Sequence, residues 1–134
     1  MTNILMDTQL DNLVVLALAA RSKAYAPYSK FAVGAAVKCR SGAVFAGANI
    51  ENRSLGLTIC AERVAMGAAV AGGERDFVAI AVTSDSDQPI VPCGACRQFL
   101  AEFNPDLIIV RATVRGQRKI ENLSHLSPTR LEEF

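Results

Sequence analysis

Three cysteines and one glutamate carry the chemistry of this 134-residue chain. Cys93 and Cys96 form a Cys-x-x-Cys pair, and residues three apart on a helix share one face. Cys60 falls earlier, at the start of a second predicted helix, where the fold can bring it up as a third thiolate. Helix N-termini carry unpaired N–H groups and partial positive charge, which lower a thiol's pKa and favour the thiolate a metal needs. Three protein ligands leave tetrahedral zinc with one open position, the arrangement of a catalytic rather than a structural site. Glu62 follows Cys60 by two residues, about 200° round an ideal helix. Side chains lean toward the helix N-terminus, so from the first turn both reach a site lying over the helix end. A carboxylate there takes a proton from metal-bound water and passes it on, acting as general acid/base and not as ligand. Zinc with three thiolates is net negative. Arg63, on the same turn, can donate to the sulfurs and offset that charge, and the two helix dipoles act in the same direction.

Other readings of these residues exist. Cys39 could complete a four-cysteine structural site, but it follows a strand alone rather than in a paired motif. Pro92-Cys93-Gly94-Ala95-Cys96 before a helix also resembles the redox motif of thioredoxin-like proteins, a reading that leaves Cys60-Ala61-Glu62 without a role. Taken singly, Cys60 suits a buried small hydrophobe, Arg63 a surface ion pair and Glu62 a helix N-terminal acid.

The elements that must position these residues follow from periodicity. Apolar positions at Leu10, Leu13, Val14, Ala17 and Ala24 predict an amphipathic helix over residues 8–24, ended by Pro27. Residues 31–38 and 43–48 read as two antiparallel strands joined at Ser41-Gly42, and the small residues Gly34, Ala35 and Ala36 imply very close packing. A polar loop over 49–58 leads to a helix over 60–70 with Gly72-Gly73 at its C-terminus. Strands are expected at 77–83, 107–114 and, briefly, 117–120. A helix over 94–103 stops at Asn104-Pro105, and one more short helix precedes the tail. Strands alternating with helices after an initial hairpin predict a three-layer α/β/α domain with one mixed five-stranded sheet.

Composition narrows the function. Hydrophobic residues are 51% and charged residues 20%, which excludes disorder and supplies a core for one domain over residues 1–134. A mean hydropathy of +0.25 on so small a chain predicts apolar surface buried between subunits. Fourteen Lys and Arg against thirteen Asp and Glu give a formal charge of +1, no field for a phosphate backbone, so no nucleic-acid partner is expected. With no targeting segment and no apolar run near the ~18 residues of a membrane span, a cytoplasmic location is expected. In that reducing setting cysteines are ligands or catalytic thiols rather than a disulfide frame.

Cys60-Ala61-Glu62-Arg63 followed by Pro92-Cys93-Gly94-Ala95-Cys96-Arg97-Gln98 resembles the small homotetrameric zinc cytidine deaminases. The similarity takes in Tyr25-Ala26-Pro27-Tyr28-Ser29-Lys30-Phe31 and Asn49-Ile50-Glu51-Asn52 and runs to Phe103. A cysteine, rather than a histidine, before Ala61-Glu62 is similar to the branch acting on free nucleosides. The resemblance implies one zinc per subunit on Cys60, Cys93 and Cys96, and a tetramer whose pockets are shared between subunits. Glu62 would move protons between the attacking water, ring N3 and the departing ammonia. It further implies that Phe31 stacks on the pyrimidine, that the Ala61 backbone N–H holds its O2, and that Asn49 with Glu51 binds the ribose 3′-hydroxyl. Without the motif, Phe31 would read as core and the Asn49–Glu51 pair as serving only its loop.

Two departures bear on substrate. Relatives typically carry a tyrosine at Leu55, six residues after Asn49, and lend it to a neighbour's ribose pocket. Near the C-terminus, where relatives have Leu-Pro-x-x-Phe, this chain has Leu131, with Phe134 in shifted register. A pocket lacking both aromatics is expected to accept cytosine nucleosides enlarged at N4 or on the sugar. Blasticidin-S deaminase shares both zinc motifs and is the nearest rival, against which the Asn49-Ile50-Glu51-Asn52 run argues. A non-catalytic zinc-stabilised module is the rival of a different class.

Overall fold

The computed structural model describes residues 7–126. In chain order they form α1 (Asp7–Arg21), β1 (Val33–Cys39), β2 (Val44–Ala48), a 3-10 turn (Leu55–Leu57), α2 (Ala61–Ala71), β3 (Phe77–Ser84), α3 (Gly94–Ala101), β4 (Ile108–Thr113), β5 (Arg118–Asn122) and α4 (Leu123–Leu126). The five strands make one sheet in the order β2-β1-β3-β4-β5. Only β3 and β4 pair in parallel; the other pairings are antiparallel. Helices cover both faces, giving the three layers and the mixed sheet expected from the alternation of elements.

Each face has its own apolar layer. Under α1, Leu10, Leu13, Val14 and Ala17 meet Ala36, Ala79, Ala81, Val110 and Ala112. Under α2 and α3, Ala61, Ala65, Met66, Ala69 and Leu100 meet Val33, Ala35, Val37, Ile80, Val82 and Ile109. β3 is thus buried on both faces, which is why its sequence is a near-continuous apolar run. Alanines and two glycines let the helices lie directly on the strands. A Cβ at Gly34 would stand 2.0 Å from the Ala17 carbonyl oxygen, and one at Gly47 would stand 2.6 Å from the Ala65 nitrogen.

Topology places the site. β2 is antiparallel to β1, which is antiparallel to β3, so β2 and β3 run the same way. The crossovers β2-α2-β3 and β3-α3-β4 therefore leave the same edge of the sheet, and α2 and α3 both begin there. Crevices beyond the carboxyl ends of strands are where α/β sheets bind ligands.

Most element boundaries differ from expectation by one to three residues, and at three of them the contacts show why. α1 stops at Arg21 rather than at residue 24, because Ser22, Lys23 and Ala24 close i→i+3 turns and Tyr25 leaves to bridge Ile50. Long-range pairing, and not Pro27, ends that helix. β1 starts at Val33 rather than Phe31, because the Phe31 N–H donates to Ser29 Oγ and its carbonyl accepts from Asn49 Nδ2. α3 ends at Ala101, and Asn104 holds the following turn by donating to the Phe77 carbonyl at 2.8 Å. No described helix is long and apolar enough to cross a membrane. Leu131 and Phe134 lie outside the described residues.

Candidate metal centre

Cys60 and Cys93 are the N-cap residues of α2 and α3, each with extended backbone (φ −71°, ψ 153° and φ −65°, ψ 165°). Cys60 thus stands just outside the helix expected over 60–70, and Cys93 just ahead of the one expected over 94–103. Cys96 is the third residue of α3, one turn in and fully buried. Because the two helices begin at one edge, the three sulfurs meet, all within 4.8 Å of one another. Cys60 Sγ and Cys93 Sγ are 3.7 Å apart. Tetrahedral zinc with Zn–S bonds of about 2.3 Å holds its sulfurs about 3.8 Å apart, whereas a disulfide needs about 2.05 Å. The sulfur positions therefore fit zinc and not a cystine.

The thiols are poised unequally. Cys60 is drawn down to about 5, chiefly by its hydrogen bond with Cys96, then, against the opposing effect of burial, by Arg63 and Cys93. Cys96 is correspondingly pushed up by the bond it shares with Cys60 and by burial. Arg63 Nη2 lies 3.9 Å from Cys60 Sγ and 3.4 Å from the Thr58 carbonyl. Its Nε is buried without a partner, so the guanidinium faces the sulfurs with a donor to spare. Cys39 takes no part in the cluster; it is buried in the core under α2, and burial lifts its thiol to about 11.

Glu62, the second residue of α2, is 3% exposed. Burial pushes its carboxyl up to about 7, and the nearby Cys60 sulfur acts in the same direction against Arg63. A carboxyl that neither holds nor loses its proton strongly near neutrality is suited to general acid/base work.

Cys60, Cys93 and Glu62 line a cavity of about 280 Å³. Ala61, Phe31, Asn49 and Glu51 are also on its walls. Phe31 is 36% exposed, an aromatic face turned to the opening rather than a core ring. Asn49 and Glu51 both brace the segments beside them, the role expected of the pair without the motif. Asn49 is buried, accepts from the Val33 N–H and donates to the Phe31 carbonyl, both at 2.9 Å, and so fixes the segment carrying Phe31. Glu51 accepts from the backbone N–H groups of Tyr28 and Ser29 at 2.9 and 3.1 Å and from Ser29 Oγ. Its carboxyl is held below the usual glutamate range, first by the Ser29 hydroxyl. An amide has four hydrogen-bonding directions and a carboxylate about four, so both keep capacity for a ligand.

Leu55 is not on this cavity's wall. It begins the 3-10 turn and is 75% exposed. The apolar wall of Val33, Ile90 and Val91 was missed in the sequence, where residues 84–92 read only as loop. The continuous Pro89-Ile90-Val91-Pro92 stretch was the available signal.

Residues 7–112 match the family model described as the cytidine and deoxycytidylate deaminase zinc-binding region. A cytidine deaminase of Halalkalibacterium halodurans is 48% identical over 124 residues, spanning 92% of this chain and 92% of that protein. The 1.6 Å crystal structure of cytidine deaminase from Burkholderia pseudomallei matches with a TM-score of 0.88 and 44% identity, covering 98% of this chain and 100% of that one. A blasticidin-S deaminase of Bacillus cereus is 33% identical over 90 residues, 61% of this chain and 64% of that protein.

Proposed function

The chain belongs to the cytidine and deoxycytidylate deaminase zinc-binding family and is a zinc-dependent enzyme that deaminates cytidine, and we propose how its residues divide that work. Cys60, Cys93 and Cys96 would hold one zinc per chain, which when bound would supply Lewis acidity to a water facing C4 of the pyrimidine. Glu62 takes one proton from the attacking water and delivers it to ring N3, then takes the second from the hydroxyl formed at C4 and hands it to the amino group, which departs as ammonia as the C4 carbonyl forms. Arg63 offsets the charge of the thiolates, so the metal keeps its pull on the water. Phe31 stacks on the pyrimidine face. The Ala61 N–H, which as the first in α2 has no partner within its own helix, donates to O2. Asn49 and Glu51 hold the ribose 3′-hydroxyl with the bonding capacity their loop leaves them, and Val33, Ile90 and Val91 exclude bulk water. The observation that carries this reading is the buried Glu62 on the same cavity as Cys60 and Cys93, whose sulfurs cluster with that of Cys96.

Deoxycytidine is also accepted, since the sugar contacts invoked do not include the 2′-hydroxyl. A cavity of about 280 Å³, at the small end of ligand pockets, suits one nucleoside rather than a strand. The longer match at higher identity to cytidine deaminases than to the blasticidin-S enzyme favours the simpler nucleoside. The chain works as a homotetramer with shared pockets. In support, Leu55 and Leu57 are 75% and 65% exposed, and Leu16, Ala19, Ala46, Gly47, Ile50 and Val64 line an apolar groove between α1 and α2. Such surface is normally covered by another copy.

Incubating the zinc-loaded protein with cytidine and following the ultraviolet change, with ammonia assayed in parallel, tests the reading. Uridine and ammonia should appear in equal amounts. Zinc binding without turnover would leave only a zinc-stabilised module.

A further inference from the structure

Glu62 and Arg111 are the two buried charged side chains among the described residues, and the reaction gives Arg111 no part. Strand alternation in β4 puts Arg111 on the same sheet face as Ile109, the face under α2 and α3. There its Nε donates to Glu121 Oε1 at 2.6 Å, with Nη2 on the same oxygen. The remaining arm, Nη1, donates to the Pro89 carbonyl at 3.0 Å. A guanidinium is desolvated only where its donors are met, so this arrangement fixes all three groups together.

Pro89 lies in the segment between β3 and α3. The next two residues, Ile90 and Val91, line the cavity, and Cys93 follows after Pro92. Earlier in that segment the tethers are at the surface: Asp85 pairs with Arg21 and Arg115, and Asp87 with Arg115, over 3.3 to 3.9 Å between exposed or half-exposed groups. Surface pairs of this kind hold little. In the half of the segment that lines the cavity, the buried Arg111 donor holds the Pro89 carbonyl and Ile90 packs against the core.

We propose that Arg111 is a positioning residue for the pyrimidine pocket: by holding the Pro89 carbonyl it sets the Ile90–Val91 wall against the Phe31 side, and so sets substrate affinity rather than the chemical step. This rests on the reading that the cavity takes a cytosine nucleoside. Arg111→Met keeps the length of the side chain and removes every donor. Glu121→Gln weakens the ion pair but leaves Arg111 its bond to Pro89. A residue that only stabilises the fold would lower Tm in both variants and leave KM alone in both.

Steady-state kinetics with cytidine on zinc-loaded wild type, Arg111→Met and Glu121→Gln, with zinc content and Tm, separate these roles. In Arg111→Met, KM should rise at least ~5-fold while kcat stays within ~3-fold and one zinc per chain is kept. Glu121→Gln should lose Tm with KM within ~2-fold of wild type. An unchanged KM in Arg111→Met, an equal rise in Glu121→Gln, or activity loss that tracks zinc loss overturns the proposal. Should Arg111→Met not fold, Arg111→Lys is read instead: its ammonium cannot span both partners, so a raised KM is expected and a wild-type KM overturns. Absence of cytidine turnover in the zinc-loaded wild type would instead overturn the functional reading, and this one with it.

Discussion

Cys93 Sγ accepts a hydrogen bond from the Cys96 backbone N–H at 3.4 Å, so one sulfur of the centre caps the helix that carries another. The start of α3 and the metal set are one feature, and they are separable by substitution. Serine is a good N-cap but a poor zinc ligand, so Cys93→Ser keeps the cap while removing the thiolate. Elemental analysis should find zinc largely lost from Cys93→Ser and retained at one per chain in Cys39→Ser. Equal loss from both would mean a four-cysteine structural site and would remove the open position.

Arg63 reaches Cys60 Sγ at 3.9 Å and has a second, unpaired donor beside the cluster. Arg63→Gln should keep zinc and lower kcat roughly 10-fold to 100-fold, the usual effect of losing a partner of the metal's ligands. Unchanged kcat with unchanged zinc would show that the helix ends alone balance the charge.

Gly34 sits where α1 lies against β1, and a Cβ there would meet the Ala17 carbonyl oxygen at 2.0 Å. Gly34→Ala should therefore cost at least about 1–3 kcal/mol in urea unfolding of the zinc-loaded protein, because backbone rather than a flexible side chain must move. A variant as stable as wild type would show that α1 slides freely over the sheet.

Leu55 is exposed on its own chain and, in the assembly proposed, faces a neighbour's sugar site. Loss of one neutral hydrogen bond there is worth about 0.5–1.5 kcal/mol, so cytidine itself should remain a good substrate. The missing bulk matters more for larger molecules. The ratio of kcat/KM for an N4-acyl or N4-alkyl cytidine to that for cytidine should fall in Leu55→Tyr. An unchanged ratio, or no turnover of the substituted nucleoside by wild type, would mean the mouth is closed by another group, such as Arg53 or Phe134.

Local signals gave the site and part of the fold. Gly72 and Gly73 marked the end of α2, and Gly73 takes φ +96°, a value glycine adopts without strain. Cysteine spacing found the three sulfurs because each motif sits at a helix start, where two or three residues settle the geometry. What escaped depended on contacts distant in sequence. The end of α1 is set by the Tyr25–Ile50 bridge, and the late start of β1 by Asn49. Arg111 was unremarkable in the sequence because its partners, Pro89 and Glu121, lie 22 and 10 residues away and meet it only once β4 is in the sheet.

The central claim is that Glu62 moves the proton beside a zinc held by Cys60, Cys93 and Cys96. Glu62→Gln preserves size and hydrogen bonding but cannot carry a proton. Turnover of cytidine by Glu62→Gln, measured alongside its zinc content, tests the claim most directly. Activity should fall at least ~100-fold with one zinc per chain retained. Near-normal turnover by the zinc-loaded variant would contradict the account.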